Sequence, residues 1–172
     1  MKKQFYALIA GICFFTGLLS AETLQQAYQE ALPGLGYDRL ICLTPGEIYT
    51  GGLAIANEKI GIKGQGAILD LQGGMISATG SAVIDLDGCV VINGSRGLNL
   101  EGKAHSLVTH CTFYGNQYGI YAFTIGIVEV MNTILANNTT YGFACDENTT
   151  CILHYLDAYQ NPGGNYMAWC ES

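Results

Sequence analysis

An Asn followed three or four residues later by a Gly recurs at a nearly constant period along this chain. The stretches that carry it are VINGSRGLN (91–99), FYGNQYGIY (113–121), ILANNTTYGF (134–143) and DAYQNPGGNY (157–166). The Asn residues, separated by 23, 22 and 23 positions, are Asn93, Asn116, Asn138 and Asn161. The Gly residues at 97, 119, 142 and 164 are separated by 22, 23 and 22 positions. Two residue types that hold one period over four units indicate a stacked repeat.

Each repeat unit contains no segment that is long or periodic enough for an amphipathic helix. The segments before each Asn align as two short strands and a bend, and an earlier copy, EKIGIKGQGAILD, places Asp70 where Asn93 stands 23 residues later. The L-x-x-L-x-L frame of leucine-rich repeats is absent, and ankyrin and tetratricopeptide units are longer and helical. The repeat therefore predicts a coil of three short strands per turn, in which each strand pairs in parallel with the strand of the next turn.

The composition agrees with such a β architecture. Only 12% of the residues are charged, 49% are hydrophobic, and 23 Gly stand against 3 Pro. Low charge with many glycines favours strands joined by tight turns, and it excludes a disordered chain, which would be rich in charge and poor in aromatic residues.

The repeated Asn has a structural interpretation. Adjacent turns of the coil would lie about 4.8 Å apart, so that equivalent side chains form ladders along the axis. An Asn at a bend tolerates a left-handed backbone, and its amide can donate to one neighbouring turn while it accepts from the other. We therefore predict a structural rather than catalytic ladder formed by Asn93, Asn116, Asn138 and Asn161.

The first 21 residues, MKKQFYALIAGICFFTGLLSA, have a basic start, an apolar run over 5–19 and small residues at the end. This is the plan of a secretory signal, with an uncleaved anchor helix as the alternative. Cleavage after Ala21 leaves 5 Lys and Arg against 14 Asp and Glu, a net charge of −9. A nucleic-acid partner needs a basic face and is excluded. We expect a monomer that is secreted, periplasmic or on the cell surface, with no stable membrane span after cleavage.

Six cysteines follow the predicted signal: Cys42, Cys89, Cys111, Cys145, Cys151 and Cys170. An even number in an exported chain favours disulfides, and no grouping of Cys with His supports a zinc site. Cys145 and Cys151 flank the short loop DENTT and are the preferred pair, with Cys145–Cys170 as the alternative. Cys89 and Cys111 are 22 residues apart, so they either bond across neighbouring turns or stack as buried thiols. Cys42 is the thiol that we expect to lack a partner within the chain.

The stretch LQQAYQEALPGLGYDRLICLTPGEIYTGGLAI (24–55) resembles the entry sequence of the pectate-lyase-like superfamily. In that family a short amphipathic helix caps the first turn and a strand follows a P-G turn. Leu24, Ala27, Tyr28 and Ala31 recur at helical spacing, which fits a cap over the open end of the core. The resemblance implies an all-β fold, a right-handed parallel β-helix of about six turns at this period. It places the capping helix at 22–36 and the β-helix domain at 37–172.

Two carboxylates form the candidate metal site. Asp85 and Asp87 in VIDLDGC are two residues apart, so in a strand they point the same way. Calcium takes hard oxygen ligands of this kind. In pectate lyases such carboxylates hold calcium against a uronate, and this resemblance makes Arg96 or Lys103 the candidate base. A single acidic pair with no second acidic row on the neighbouring turns favours a solvated surface instead.

Tyrosines form the candidate ligand-binding site. Tyr118, Tyr121 and Tyr141 either line a groove that stacks on sugars or pack as strand residues. The NTD, DD and RIK motifs of polygalacturonases and the DPHE motif of epimerase-like relatives are missing. We find no catalytic constellation in the sequence.

A second resemblance concerns cell-surface proteins. FYGN (113–116) and GGLAI (51–55) resemble the F-x-x-N and G-G-A-I units of polymorphic membrane protein adhesins, which are surface β-helices. The leading hypothesis is an exported, non-catalytic β-helix that presents a binding face to a polysaccharide or a cell-surface glycan and needs no cofactor. The alternative is a calcium-dependent polysaccharide lyase that acts on an acidic glycan.

Overall fold

The computed structural model describes residues 22–167 and 170, and the predicted signal at 1–21 lies outside them. The described residues form one helix, α1 (Leu24–Glu30), and seventeen strands. The strands are β1 (Leu32–Gly34), β2 (Tyr37–Cys42), β3 (Ile48–Thr50), β4 (Leu53–Ala56), β5 (Lys59–Lys63), β6 (Ile68–Asp70), β7 (Met75–Thr79), β8 (Val83–Asp87), β9 (Val90–Ile92), β10 (Arg96–Gly102), β11 (Ser106–Thr109), β12 (Thr112–Tyr114), β13 (Tyr118–Thr124), β14 (Ile127–Ala136), β15 (Tyr141–Cys145), β16 (Thr150–Tyr159) and β17 (Gly164–Tyr166).

The strands coil as a parallel β-helix of about six turns, which confirms the predicted architecture. β2, β3 and β4 form the first turn, and β5, β6 and β7 pair with them in parallel on the next. One row of strands forms the six-stranded sheet β4-β7-β10-β13-β15-β17. The other two rows join through the long strand β14 into an eleven-stranded sheet.

The hydrophobic core lies inside the coil, because alternate residues of each strand point inward. Val91, Phe113 and Leu135 occupy one register position on successive turns and are fully buried. A side chain of this size contributes about 1.5–3 kcal/mol when it leaves water. Each of these side chains contacts its equivalents above and below, so a single turn is stable only as part of the stack.

Helix α1 closes the first turn of the coil. The Thr23 hydroxyl accepts from the Gln26 backbone N–H, and the Gln26 side chain accepts from the Thr23 N–H, each at 3.1 Å. This capping box satisfies two backbone donors at the helix start. Leu24 is fully buried in the core at this end of the coil, as expected for a cap.

The helix is shorter than the predicted segment 22–36, and this boundary was wrong. Ala31 is already extended, and β1 pairs antiparallel with β2. Pro33 disfavours a helical conformation at the residue before it, which ends the helix early. The Arg39 guanidinium donates to the carbonyls of Tyr28 and Ala31 at 3.3 Å each, so these two carbonyls at the helix end are satisfied by a strand residue.

Buried asparagines connect successive turns at one bend. Asn116 Oδ1 accepts from the Gly94 N–H at 2.8 Å. Asn138 Oδ1 accepts from the Asn116 N–H at 3.1 Å, and Asn161 Oδ1 accepts from the Asn138 N–H at 2.9 Å. The Asn116 amide also donates to the Val91 carbonyl of the preceding turn at 3.0 Å. The ladder therefore supplies partners for backbone groups that the bend would otherwise leave unpaired and buried.

Asn93 lies outside this ladder, and its assignment to the series was wrong by one residue. Its exposed side chain donates to Asp70 Oδ1 at 3.0 Å. Gly94 takes the ladder position, where a Cβ would come within 2.7 Å of Leu71 Cδ1 and 3.0 Å of Asn116 Oδ1. The left-handed conformation belongs to the residue before each ladder position, at Asn93, Gly115, Asn137 and Gln160. Two adjacent positions of the bend are specialised, one for a left-handed backbone and one for the buried ladder side chain. Because the period varies between 22 and 23 residues, the spacing alone cannot tell which of the two positions an Asn occupies.

Removal of one ladder amide should destabilise the protein. Asn116→Ala leaves the Gly94 N–H and the Val91 carbonyl without their partner, and we expect the free energy of unfolding to fall by about 1–3 kcal/mol. Urea unfolding followed by circular dichroism measures this change. Asn148→Ala is the matched control and should cost far less, because the Asn148 side chain is exposed and makes no hydrogen bond to a described residue. Equal losses for the two variants would contradict the role of the ladder.

Candidate functional site

An aromatic cluster lies on the outer surface of the six-stranded sheet. Tyr118, Tyr121 and Phe123 point outward from β13, and Tyr141 points outward from β15. Tyr118 stacks on Tyr141 across the turn with ring centroids 6.3 Å apart, and it meets the Tyr121 ring edge-on at 5.1 Å. We call these four residues the aromatic face. The structure thus brings the three predicted tyrosines together.

Phe123 belongs to the aromatic face but was missed in the sequence. Its ring stacks on that of Tyr121, with centroids 4.2 Å apart and planes 13° apart. The two residues are two apart in β13, so strand alternation places them on one side of the sheet. This alternation was the signal that could have found it.

Arg96 covers the other side of the Tyr121 ring. Its guanidinium carbon lies 3.9 Å from the ring centroid, which is a cation–π contact. Tyr121 therefore stands upright between Arg96 and Phe123, and neither of its ring faces is open to a sugar. The phenol hydroxyl is the part of Tyr121 that a ligand can reach.

Polar side chains of β10 hold Arg96 in place. Arg96 Nη1 donates to Asn99 Oδ1 at 2.6 Å and to Glu101 Oε1 at 3.3 Å. Asn99 Nδ2 in turn donates to Glu101 Oε1 at 3.2 Å and to Ser77 Oγ on β7 at 3.1 Å. The strand register places Arg96 beside Tyr118 and Asn99 beside Tyr121. A fixed polar patch thus adjoins the aromatic face.

Among the described residues, the hydroxyls of the three tyrosines of the aromatic face have no hydrogen-bond partner, whereas those of Tyr28, Tyr37 and Tyr49 do. The Tyr49 hydroxyl accepts from the Thr44 N–H at 3.0 Å. Tyr28 donates to Glu58 at 2.7 Å and Tyr37 donates to Asp85 at 2.6 Å. A phenol hydroxyl both donates and accepts. The aromatic face therefore offers three such groups to a ligand.

The predicted calcium pair lies on a different surface. Asp85 and Asp87 point outward from β8 in the eleven-stranded sheet, and their oxygens already accept hydrogen bonds. Asp85 accepts from the Tyr37 hydroxyl and, at 2.7 Å, from the Leu107 N–H. Burial of Tyr37 and its hydrogen bond to Asp85 raise the pKa of Tyr37 to about 12.

Three donors surround Asp87. They are the Thr109 hydroxyl at 2.7 Å, His110 Nδ1 at 3.0 Å and Lys63 Nζ at 3.1 Å. The hydrogen bond from Thr109, followed by those from His110 and Lys63, lowers the pKa of Asp87 to about 2. This carboxylate is thus held ionised by protein groups.

The structure does not bring the proposed lyase residues together. Arg96 lies on the six-stranded sheet and Asp85 and Asp87 on the eleven-stranded one. Lys103 is exposed in the turn after β10, where its backbone N–H donates to the Gly80 carbonyl at 2.7 Å. Within residues 22–167 and 170, no three His, Cys, Asp or Glu side chains form a group that could hold a metal ion.

Cysteine sulfurs meet at two places in the structure. Cys145 Sγ lies 2.6 Å from Cys170 Sγ, and hydrogen bonding with Cys151 is the main reason that the pKa of Cys145 is raised, to about 12. Cys89 and Cys111 are both buried on neighbouring turns, and Cys111 Sγ accepts from the Cys89 N–H at 3.5 Å. Cys42 is exposed.

Comparison with known proteins addresses the fold. A family profile described as "Right handed beta helix region" matches residues 51–169, more than half of the chain. The chain belongs to this right-handed β-helix family. The match indicates that the parallel coil described above is right-handed. A search of curated proteins and a search of solved structures found no match. Within residues 22–167 and 170, no helix has the length and hydrophobicity that a membrane span requires.

The stability of this β-helix should depend on Asp87 in acid. Because the folded state lowers its pKa to about 2, Asp87 stabilises the fold above the pKa of an unfolded Asp, about 3.9. That contribution is lost as the pH falls from about 4 through 2. We expect Asp87→Asn to lower the free energy of unfolding at pH 7 by up to about 1 kcal/mol, since the pair is partly exposed.

The same variant should show a flatter dependence of stability on pH between about 4 and 2, measured by urea unfolding at each pH. Asp157→Asn is the control, because Asp157 is exposed and accepts no hydrogen bond from a described residue. If both variants follow the wild-type pH dependence, the hydrogen bonds of Asp87 do not act in solution.

Oxidation of the purified β-helix should join Cys145 to Cys170. Their sulfurs are in contact, and a bond between them leaves Cys151 as a free thiol. Peptide mapping without reduction identifies the pair, and alkylation of the native protein should label exposed Cys42 but not buried Cys89. A Cys145–Cys151 peptide would instead support the pair preferred from the sequence.

Proposed function

We propose that the protein is an exported, non-catalytic β-helix whose aromatic face binds a polysaccharide, at a cell surface or in the surrounding medium. The observation that carries this proposal is the set of three tyrosine hydroxyls that lie on one outer surface and have no partner among the described residues. Tyrosines usually pair their hydroxyl when it is buried. Here the rings are half-buried and support one another, while the hydroxyls remain accessible.

The chemistry of a sugar fits this surface. A pyranose presents hydroxyl groups around its rim and apolar C–H groups on its faces. The hydroxyls of Tyr118, Tyr121 and Tyr141 can donate to and accept from the rim. The side of the Phe123 ring that faces away from Tyr121 can pack against an apolar face of the sugar. A rigid sheet fixes these groups in advance, which reduces the entropy cost of binding.

Several observations favour binding over catalysis. The carboxylates that a calcium-dependent lyase would use are hydrogen-bonded to protein donors, and the candidate base Arg96 lies on another sheet. Arg96 is held by Glu101 and Asn99 rather than facing a reacting atom. The alternative, a lyase of the pectate type, would require Asp85 and Asp87 on the eleven-stranded sheet to act on one substrate with Arg96 on the six-stranded sheet or with Lys103 in the turn after β10.

Export and surface location are supported by the sequence. Residues 1–21 have the pattern of a secretory signal, and the resemblances to the pectate-lyase-like superfamily and to surface adhesins both concern proteins that act outside the cytoplasm. The net charge of −7 for the full chain disfavours nucleic acid as a partner. We propose a monomer that binds a glycan without a cofactor.

A glycan array tests the proposal directly. The wild-type protein should bind a subset of polysaccharides, and the triple variant Tyr118→Phe, Tyr121→Phe, Tyr141→Phe should bind them at least about tenfold more weakly. This magnitude follows from about 0.5–1.5 kcal/mol for each lost hydrogen bond. The substitutions keep the ring packing, so the unfolding curve should change little.

Tyr114→Phe is the matched control, since Tyr114 is exposed on the eleven-stranded sheet. It should leave glycan binding unchanged. Wild-type and triple-variant proteins that bind equally would show that the aromatic face is not the binding site. Formation of unsaturated product from polygalacturonate with calcium would show that the protein is a lyase.

A further inference from the structure

The charge of Arg96 on the polysaccharide-binding surface is balanced by Glu101. The two side chains form an ion pair at 3.3 Å, and 29% of the Arg96 side chain and 49% of the Glu101 side chain remain exposed. Asn99, which hydrogen-bonds to both, is 2% exposed and lies beneath them. The polar patch beside the aromatic face therefore carries no net charge, although it exposes both a cation and an anion.

We infer that the aromatic face selects neutral glycans over acidic ones and that Glu101 is the residue that determines this specificity. The inference rests on the proposed function and adds the class of ligand to it. It also assigns a role to Glu101, which the sequence pattern did not single out.

The reason lies in the donors and acceptors that the pair presents. A sugar hydroxyl donates and accepts, so it can donate to the Glu101 carboxylate and accept from the Arg96 guanidinium at the same time. The carboxylate of a uronic acid only accepts, and at Arg96 it would lie within reach of the Glu101 carboxylate, which repels it. A hydroxyl thus matches both partners, whereas a carboxylate matches one of them.

The charge of the rest of the molecule acts in the same direction. The chain carries 14 acidic and 7 basic residues, and a polyanion approaching it meets a repulsive field. A neutral polymer is not repelled by that field. Selection against acidic glycans is therefore achieved by repulsion as well as by a better fit of the neutral ligand.

Isothermal titration with two sets of defined oligosaccharides tests the inference. The neutral probes are cellohexaose, laminarihexaose and mannohexaose, and the acidic probe is hexagalacturonate. Wild-type protein should bind at least one neutral probe more tightly than hexagalacturonate. Glu101→Gln keeps the side-chain shape but leaves the Arg96 charge unbalanced. At low salt it should raise affinity for hexagalacturonate by about two- to fivefold, the range expected for one exposed charge pair.

Glu129→Gln is the matched control. Glu129 is a half-buried residue of β14 in the eleven-stranded sheet, so this change removes the same charge from the protein at another surface. A gain for hexagalacturonate in Glu101→Gln that is absent in Glu129→Gln supports local selection by Glu101. Equal gains in both variants would overturn it and assign the effect to net charge alone.

The remaining outcomes separate this inference from the proposed function. Wild-type protein that binds hexagalacturonate as tightly as the neutral probes, with binding lost in the triple Tyr→Phe variant, would overturn the specificity but leave the polysaccharide-binding face in place. Wild-type protein that binds none of these probes, and no glycan on the array, would overturn both.

Discussion

The parallel pairing of each strand with the strand one turn away is the interaction on which the rest of this structure depends. It sets a fixed register, so that a position recurs above itself after 22 or 23 residues, as in Val91, Phe113 and Leu135. Inside the coil this register produces apolar ladders, and at one bend it produces the hydrogen-bonded series from Gly94 to Asn161. The bend is where the backbone leaves one sheet for another, and the asparagine amides there supply partners to buried backbone groups.

The same register builds the outer surfaces. Tyr118 lies beside Tyr141 because both follow a ladder position by two or three residues. Arg96 lies beside Tyr118 for the same reason, since it follows Gly94, the ladder position of the preceding turn, by two residues. In a solenoid, residues that are one period apart in the sequence therefore form columns on the surface. A single surface can thus be built from residues that are distant in the chain. Asp85 and Asp87 belong to a column on another sheet, so their distance from Arg96 follows from the architecture rather than from a local rearrangement.

In the aromatic face, neighbouring side chains hold one another in place. Tyr121 is held between Arg96 and Phe123, which covers the ring faces but orients the hydroxyl outward. Arg96 in turn is fixed by Asn99 and Glu101, so the polar patch is preorganised. The surface therefore offers rigid hydroxyls and a balanced ion pair, a combination that suits a ligand rich in neutral hydroxyl groups.

The sequence by itself determined the repeat length, the absence of helical units and the stacked β architecture. These features follow from a period that two residue types hold over four units, and they do not depend on the direction in which any one side chain points. It also placed the ladder at Asn116, Asn138 and Asn161. Only the tertiary structure decided that Gly94 replaces Asn93 in that series, since adjacent positions of a bend share one period. Likewise, only the structure assigned Asp85 to one sheet and Arg96 to another. It also showed that Arg96 and Phe123 cover the two ring faces of Tyr121 and that Arg96 pairs with Glu101. These features depend on where a bend falls and which way a side chain points, and both are settled by packing between turns rather than by spacing along the chain.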